Sequence, residues 1–107
     1  MEEIKFNDYQ KLASRTRKTF ETEKEMQTDV GLGLCGEAGE VADIIKKHLA
    51  GAKELDKEHL KEELGDVLWY LAEACDCFGF ELEDVAKANI KKLAKRHPNG
   101  FSGYGIR

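Results

Sequence analysis

The chain has 107 residues, a formal net charge of −4, 41% hydrophobic and 36% charged residues. That length suits one domain with a thin core, and the composition excludes a disordered chain. The acidic balance disfavours binding to a nucleic-acid polymer, and no stretch approaches the roughly 20 apolar residues of a membrane span.

The N-terminus, MEEIKFNDYQ, is charged and lacks the apolar centre of a signal peptide. The first helix is expected to start at Asn7 as N-cap, with Gln10 as its capping-box partner. Tyr9, Leu12, Ala13, Thr16 and Phe20 keep helical spacing, and the pattern fades in the polar run Glu21 to Thr28. A second helix is expected from Thr28 or Asp29 to about Ala50. Lys46, Lys47 and His48 suit the negative end of its dipole, and Gly51 is a natural C′ residue.

Asp56 caps a third helix that ends at Gly79, and a fourth spans about Leu82 to Arg96, before Pro98. The tail NGFSGYGIR reads as irregular. No strand pattern competes. Four amphipathic helices with short connections predict an all-α, compact four-helix bundle-like subunit over residues 1–107. Cys35, Cys75 and Cys77 form no disulfide framework. They read as reduced thiols of a cytoplasmic protein, two or more of them small core residues.

Helices two and three carry the same phrase, offset by 26 residues: Glu37-Ala38-Gly39-Glu40-Val41 and Glu63-Leu64-Gly65-Asp66-Val67. At 100° per residue, Glu37 and Glu63 fall inside the apolar stripes, with Glu40 and Asp66 at their edges. Four acids therefore converge if the helices face one another. Two unit charges about 4 Å apart repel by roughly 4 kcal/mol at an effective dielectric near 20. Several such pairs threaten a fold with about 5–15 kcal/mol of net stability, and a divalent cation removes the repulsion. Oxygen-only donors suit Mg²⁺, Mn²⁺ or Ca²⁺ rather than zinc, and no Glu-x-x-His of a di-iron bundle exists. Asp56-x-x-His59 reads as a cap beside an exposed histidine. Gly31, Gly33, Gly36, Gly39 and Gly65 either allow close helix packing or leave room beside the acids. The rival reading of the acids is a set of salt bridges to lysines.

Asn89, Lys92 and Arg96 follow at i, i+3 and i+7 along one edge of helix four. They make either a solvated basic face or a phosphate-binding row. Lys47 lies on the side of Glu40, and Tyr70 one turn beyond Asp66. Trp69 lies off the apolar stripe, where a subunit interface would use it.

Glu37-x-x-Glu40, a 22-residue gap and Glu63-x-x-Asp66 resemble the motif of MazG-type nucleoside triphosphate pyrophosphohydrolases. These belong to the all-α NTP pyrophosphatase superfamily, with dimeric dUTPases and dCTP pyrophosphatases as relatives. The phrases GEAGEVAD and KEELGDVLWYLA look like the small single-domain members, and the resemblance runs from Tyr9-Gln10 through Phe101. The family often has two adjacent acids at the start of the motif; here the first is Gly36.

The resemblance implies a Mg²⁺-dependent enzyme, with Mn²⁺ as substitute, that hydrolyses nucleoside triphosphates, dNTPs or non-standard NTPs to monophosphate and pyrophosphate. It implies a homodimer or homotetramer. Glu37, Glu40, Glu63 and Asp66 would hold metal, with Glu37 or Glu40 activating water. Lys47, Tyr70, Asn89, Lys92 and Arg96 would contact substrate. The base contact is open among Phe20, Trp69, Tyr70 and Phe101. The rivals are a non-catalytic helical oligomerisation module with a structural ion or salt-bridge network, and an enzyme acting on a phosphorylated non-nucleotide.

Overall fold

A computed structural model describes residues 2–100. Phe101 and most of the glycine-rich tail lie outside the described residues. Four helices follow in order: α1 Phe6–Ser14, α2 Glu23–Leu49, α3 Lys57–Phe78 and α4 Leu82–Arg96. The all-α, four-helix expectation holds.

Two helix starts differ from the sequence reading. Asn7 is inside α1, whose N-cap is Lys5 with no side-chain bond. The Asn7 side chain instead accepts from the Glu83 amide and donates to Glu81. Gln10 is buried and reaches across the fold, donating to Asp76 and the Phe80 carbonyl and accepting from the Leu82 amide. Both polar side chains serve tertiary contacts, which outweigh local capping.

The second difference is in α2, which starts at Glu23, well before Thr28. Thr22 accepts from the Glu25 amide, and the Glu25 carboxylate accepts from the Glu21 amide. These two bonds start a helix inside a polar run where apolar periodicity is silent.

Helix ends agree better. Gly51 has φ 77°, and the Gly51 and Ala52 amides bond back to His48 and Lys47 carbonyls. Gly79 has φ 76°, with the same pattern from Gly79 and Phe80 onto Asp76 and Cys75. Both are Schellman ends, in which a left-handed glycine closes the last turn. Asp56 caps α3 by accepting from the His59 amide at 3.1 Å, and α4 has its expected bounds.

The main packing unit is the α2–α3 hairpin, and α1 and α4 attach to it unequally. Antiparallel register sets Gly33 against Tyr70. A methyl at Gly33 would be driven into the Tyr70 ring, so glycine is what lets the helices approach there. Tyr70 also meets Trp69 edge-on, with ring centroids 5.0 Å apart.

Trp69 is tied within the subunit: its indole donates to Thr16 Oγ1 at 2.9 Å. Arg17 pairs with Glu73, only 1% exposed, at 2.5 Å, and with Asp76. These contacts fasten α1 to α3.

A small apolar cluster of Ala72, Cys75 and Leu82, with Tyr9 and Leu68 against it, joins α1, α3 and the first turn of α4. Of the three thiols, Cys75 is buried, Cys77 half-buried and Cys35 exposed. Only Cys75 joins the core.

The subunit is less compact than expected. Its radius of gyration is 16.7 Å, against about 13 Å for a compact domain of this length. α2 alone has 27 residues, α2 and α4 do not meet among the described residues, and every residue from Lys87 to Arg96 is exposed. No helix among the described residues is long and apolar enough to cross a membrane.

Candidate metal centre

The two copies of the repeat face each other across the α2–α3 seam. Glu37 comes from the middle of α2, and Glu63 and Asp66 from the N-terminal half of α3. One carboxylate oxygen from each of these three lies within 4.8 Å of the others. Glu37 and Glu63 are half-buried, and Asp66 is exposed at the mouth.

Two oxygens, Glu37 Oε2 and Glu63 Oε2, are buried with no hydrogen-bond partner. A buried, unpaired carboxylate oxygen is unfavourable unless a cation or proton meets it. Glu40 is exposed and falls outside the tightest group, yet its carboxyl still helps to raise that of Glu63.

The field at Glu63 follows from this crowding. Burial pushes its carboxyl up from 4.5 to about 7, helped by the adjacent Glu37 and Glu40 carboxyls. Like charges in a partly dry site favour the neutral form of one of them. Tyr70 feels the same field. Burial raises its hydroxyl, with Asp29, Glu37 and Asp66 adding to the effect.

Among the described residues no lysine or arginine pairs with Glu37, Glu40, Glu63 or Asp66. The salt-bridge network weighed above is therefore not what neutralises them. The single partner is His59, whose Nε2 lies 3.4 Å from Glu63 Oε1, one turn earlier on α3. The sequence reading looked for a histidine three residues after an acid and missed this one four residues before. The i, i+4 spacing was the available signal.

The donor set fits a hard divalent cation: oxygens only, three within reach of one point, two of them unpartnered. Space is available too. A Cβ on Gly36, Gly39 or Gly65 would meet nothing within 4 Å. Of the glycines expected either to pack or to leave room, only Gly33 packs against another helix in the subunit.

The remaining candidates divide. Tyr70 lies beside the acids, over Gly33. Lys47 is held by Asp43 at 2.8 Å, and this bond keeps the Asp43 carboxyl below its ordinary value. Asn89, Lys92 and Arg96 are exposed on α4, which does not touch α2. The expected basic row is therefore not assembled with the acids through α2–α4 packing.

A cavity of about 710 Å³ opens between the α1–α2 connection and α2, lined by Lys18, Phe20, Asp29, Leu32 and Gly33, the glycine that Tyr70 packs against. Lys18 pairs with Asp29 at 3.5 Å and lies 5.4 Å from the centre of the Phe20 ring.

The model of the MazG nucleotide pyrophosphohydrolase domain matches residues 25–101, which include both halves of the acid repeat and α4. A gene 37 protein of Mycobacterium phage L5 is 37% identical over 75 residues, covering 66% of each chain. The uncharacterized protein YvdC of Bacillus subtilis (strain 168) is 39% identical over 72 residues, covering 59% of this chain and 68% of that protein. The match thus spans about two thirds of these relatives' lengths. No solved structure matches significantly. With facing acid repeats on an all-α scaffold and a family match over most of its length, the chain belongs to the MazG nucleotide pyrophosphohydrolase domain family.

Proposed function

We propose that this protein is a Mg²⁺-dependent nucleoside triphosphate pyrophosphohydrolase, releasing nucleoside monophosphate and pyrophosphate. The observation that carries the proposal is the group Glu37, Glu63 and Asp66, with two buried oxygens that have no hydrogen-bond partner among the described residues. Family membership supports the nucleotide as substrate. Mn²⁺ meets the same oxygen preference.

Glu37, Glu63 and Asp66 are the residues to hold the cation. Bound there, it would neutralise phosphate oxygens and favour departure of pyrophosphate. Glu40, outside the tightest group, would take a proton from water attacking the α-phosphorus. A bond forms between that water oxygen and the α-phosphorus, and the α–β bridging bond breaks. The displaced oxygen leaves with pyrophosphate.

The nucleoside end belongs in the cavity beside Tyr70. Asp29, Gly33 and Glu37 lie on one row of α2 at i, i+4 and i+8, so the cavity starts about 6–12 Å along the helix from the acids. That suits a nucleoside whose phosphates lie at Glu37. Phe20 and Tyr70 are the aromatic surfaces available to its base.

The test is incubation with a panel of ribo- and deoxyribonucleoside triphosphates plus Mg²⁺, with products separated chromatographically. Monophosphate and pyrophosphate are expected. Diphosphate with orthophosphate would refute the cleavage position, and turnover of a phosphorylated non-nucleotide alone would refute the substrate class.

A further inference from the structure

We infer that Arg17 is a positioning residue for the nucleoside end of the substrate. Its grip on Glu73 and Asp76 sets the segment that walls the cavity at Lys18 and Phe20. The inference rests on the proposed hydrolase reading and adds the residue that shapes its nucleoside pocket.

The first observation is that this wall has no helix of its own. Residues 15–22 lie between the end of α1 at Ser14 and the start of α2 at Glu23. Lys18, Thr19, Phe20 and Thr22 of this segment line the cavity, with Asp29, Leu32 and Gly33 of α2 on the other side. Yet α1 and α2 do not pack on one another among the described residues. The distance between the two walls is therefore not set by packing of the helices that the segment joins.

The second observation is that α3 sets it instead. Arg17 donates from Nε to Glu73 Oε1 at 2.5 Å, from Nη2 to Glu73 Oε2 at 3.2 Å, and also to Asp76. Asp76 is held in turn by Gln10 of α1, which donates to it at 2.8 Å. One residue before Arg17, Thr16 Oγ1 accepts from the Trp69 indole at 2.9 Å. Trp69, Glu73 and Asp76 follow at i, i+4 and i+7 along one face of α3. Trp69 also meets the edge of Tyr70, which packs against Gly33 of the opposite wall. One stretch of α3 thus holds both sides of the cavity.

The third observation is the kind of contact used. Glu73 is only 1% exposed. Replacing a buried ion pair by apolar side chains of similar volume is commonly neutral or stabilising, so fastening α1 to α3 does not by itself call for charge. A guanidinium fork adds direction, because two parallel bonds fix orientation as well as distance. Lys18 and Phe20 follow Arg17 by one and three residues, so the orientation of Arg17 is passed to both. The acid centre is independent of this clamp. Glu37, Glu63 and Asp66 stand on α2 and α3, which pack directly on each other. Disturbing Arg17 should therefore weaken the hold on the nucleoside and spare the hold on the phosphates.

Two ligands separate these effects. α,β-Methylene nucleoside triphosphates carry both parts of the substrate, and inorganic tripolyphosphate carries the phosphates alone. Affinity for each is measured by calorimetry with Mg²⁺ present. The variants are Arg17→Lys, which keeps a positive charge at Glu73 without the fork, and Trp69→Phe, which removes the bond to Thr16. Melting curves identify the folded protein used. Both variants should bind the nucleotide analogues about tenfold more weakly, as expected for a misplacement on the order of 1 Å, and tripolyphosphate within about twofold of wild type. Equal weakening of both ligands would place Arg17 in the phosphate site and overturn the inference. Unchanged analogue affinity in folded variants would reduce the clamp to a structural tie, which also overturns it. A wild-type protein that binds the analogues no better than tripolyphosphate would remove the pocket itself. Both readouts are binding, so failure to turn over any nucleotide would refute the hydrolase reading separately.

Discussion

Glu63 is the carboxyl on which the crowding of the acid group acts most clearly. It is 14% exposed, has one unpartnered oxygen, and shares its surroundings with the Glu37 and Glu40 carboxyls. Its folded-state value of about 7 lies above the ordinary 4.5, so the folded protein holds a proton that the unfolded chain releases. The stabilising contribution is complete below pH 4.5 and is lost as pH rises through about 7. The melting temperature of metal-free protein should therefore fall between these values, and Glu63→Gln should flatten that fall. Added Mg²⁺ competes with the proton, so its upward shift of the melting temperature should grow from pH 5 to pH 8. A Mg²⁺ shift independent of pH would place the ion elsewhere.

Gly65 makes a prediction of the opposite kind. Space beside it is open, so Gly65→Ala should stabilise α3 by about 0.5–1 kcal/mol. If that space receives the phosphate chain, the same change should cut turnover at least tenfold. Stability and activity moving up together would show that the space is not used.

Among the elements, α1 depends most on single polar contacts. Arg17 holds Glu73, which is 1% exposed, and Asp76, and these carboxylates raise the affinity of its guanidinium for its proton. Arg17→Ala leaves a buried carboxylate uncompensated and should destabilise by about 3 kcal/mol in chemical denaturation. Adding Glu73→Gln should recover part of that loss, because the uncompensated charge is removed. A loss below about 0.5 kcal/mol would put the pair in the class of exposed ion pairs.

Legibility in the sequence follows from what each residue contacts. Asp56, Gly51 and Gly79 act within one turn of their own position, and the end of α2 and both bounds of α3 were legible from them. Asn7 and Gln10 act across more than 60 positions, on Glu83, Asp76 and Leu82. Local pattern therefore misread them as a cap. The start of α2 was missed because its first turns are polar and only the Thr22–Glu25 cap marks them.

For the whole molecule, the acid repeat was readable because the two copies keep the same helical phase, so antiparallel packing brings equivalent faces together. The basic row of α4 was readable as a row, but its relation to the acids was not. Periodicity gives the face of a helix and not which helix it meets. Leu64, Leu71 and Phe78 are exposed, as is α4 from Lys87 to Arg96, and α2 and α4 do not meet among the described residues.

The central claim is that four carboxylates on facing helices direct water to the α-phosphorus of a nucleoside triphosphate. The most direct measurement is hydrolysis in ¹⁸O-water, followed by ³¹P NMR and mass spectrometry of both products, with Mg²⁺ and with chelator. The account predicts ¹⁸O in the nucleoside monophosphate, unlabelled pyrophosphate and no turnover in chelator. Label in pyrophosphate, release of orthophosphate, or turnover that persists without metal would contradict it.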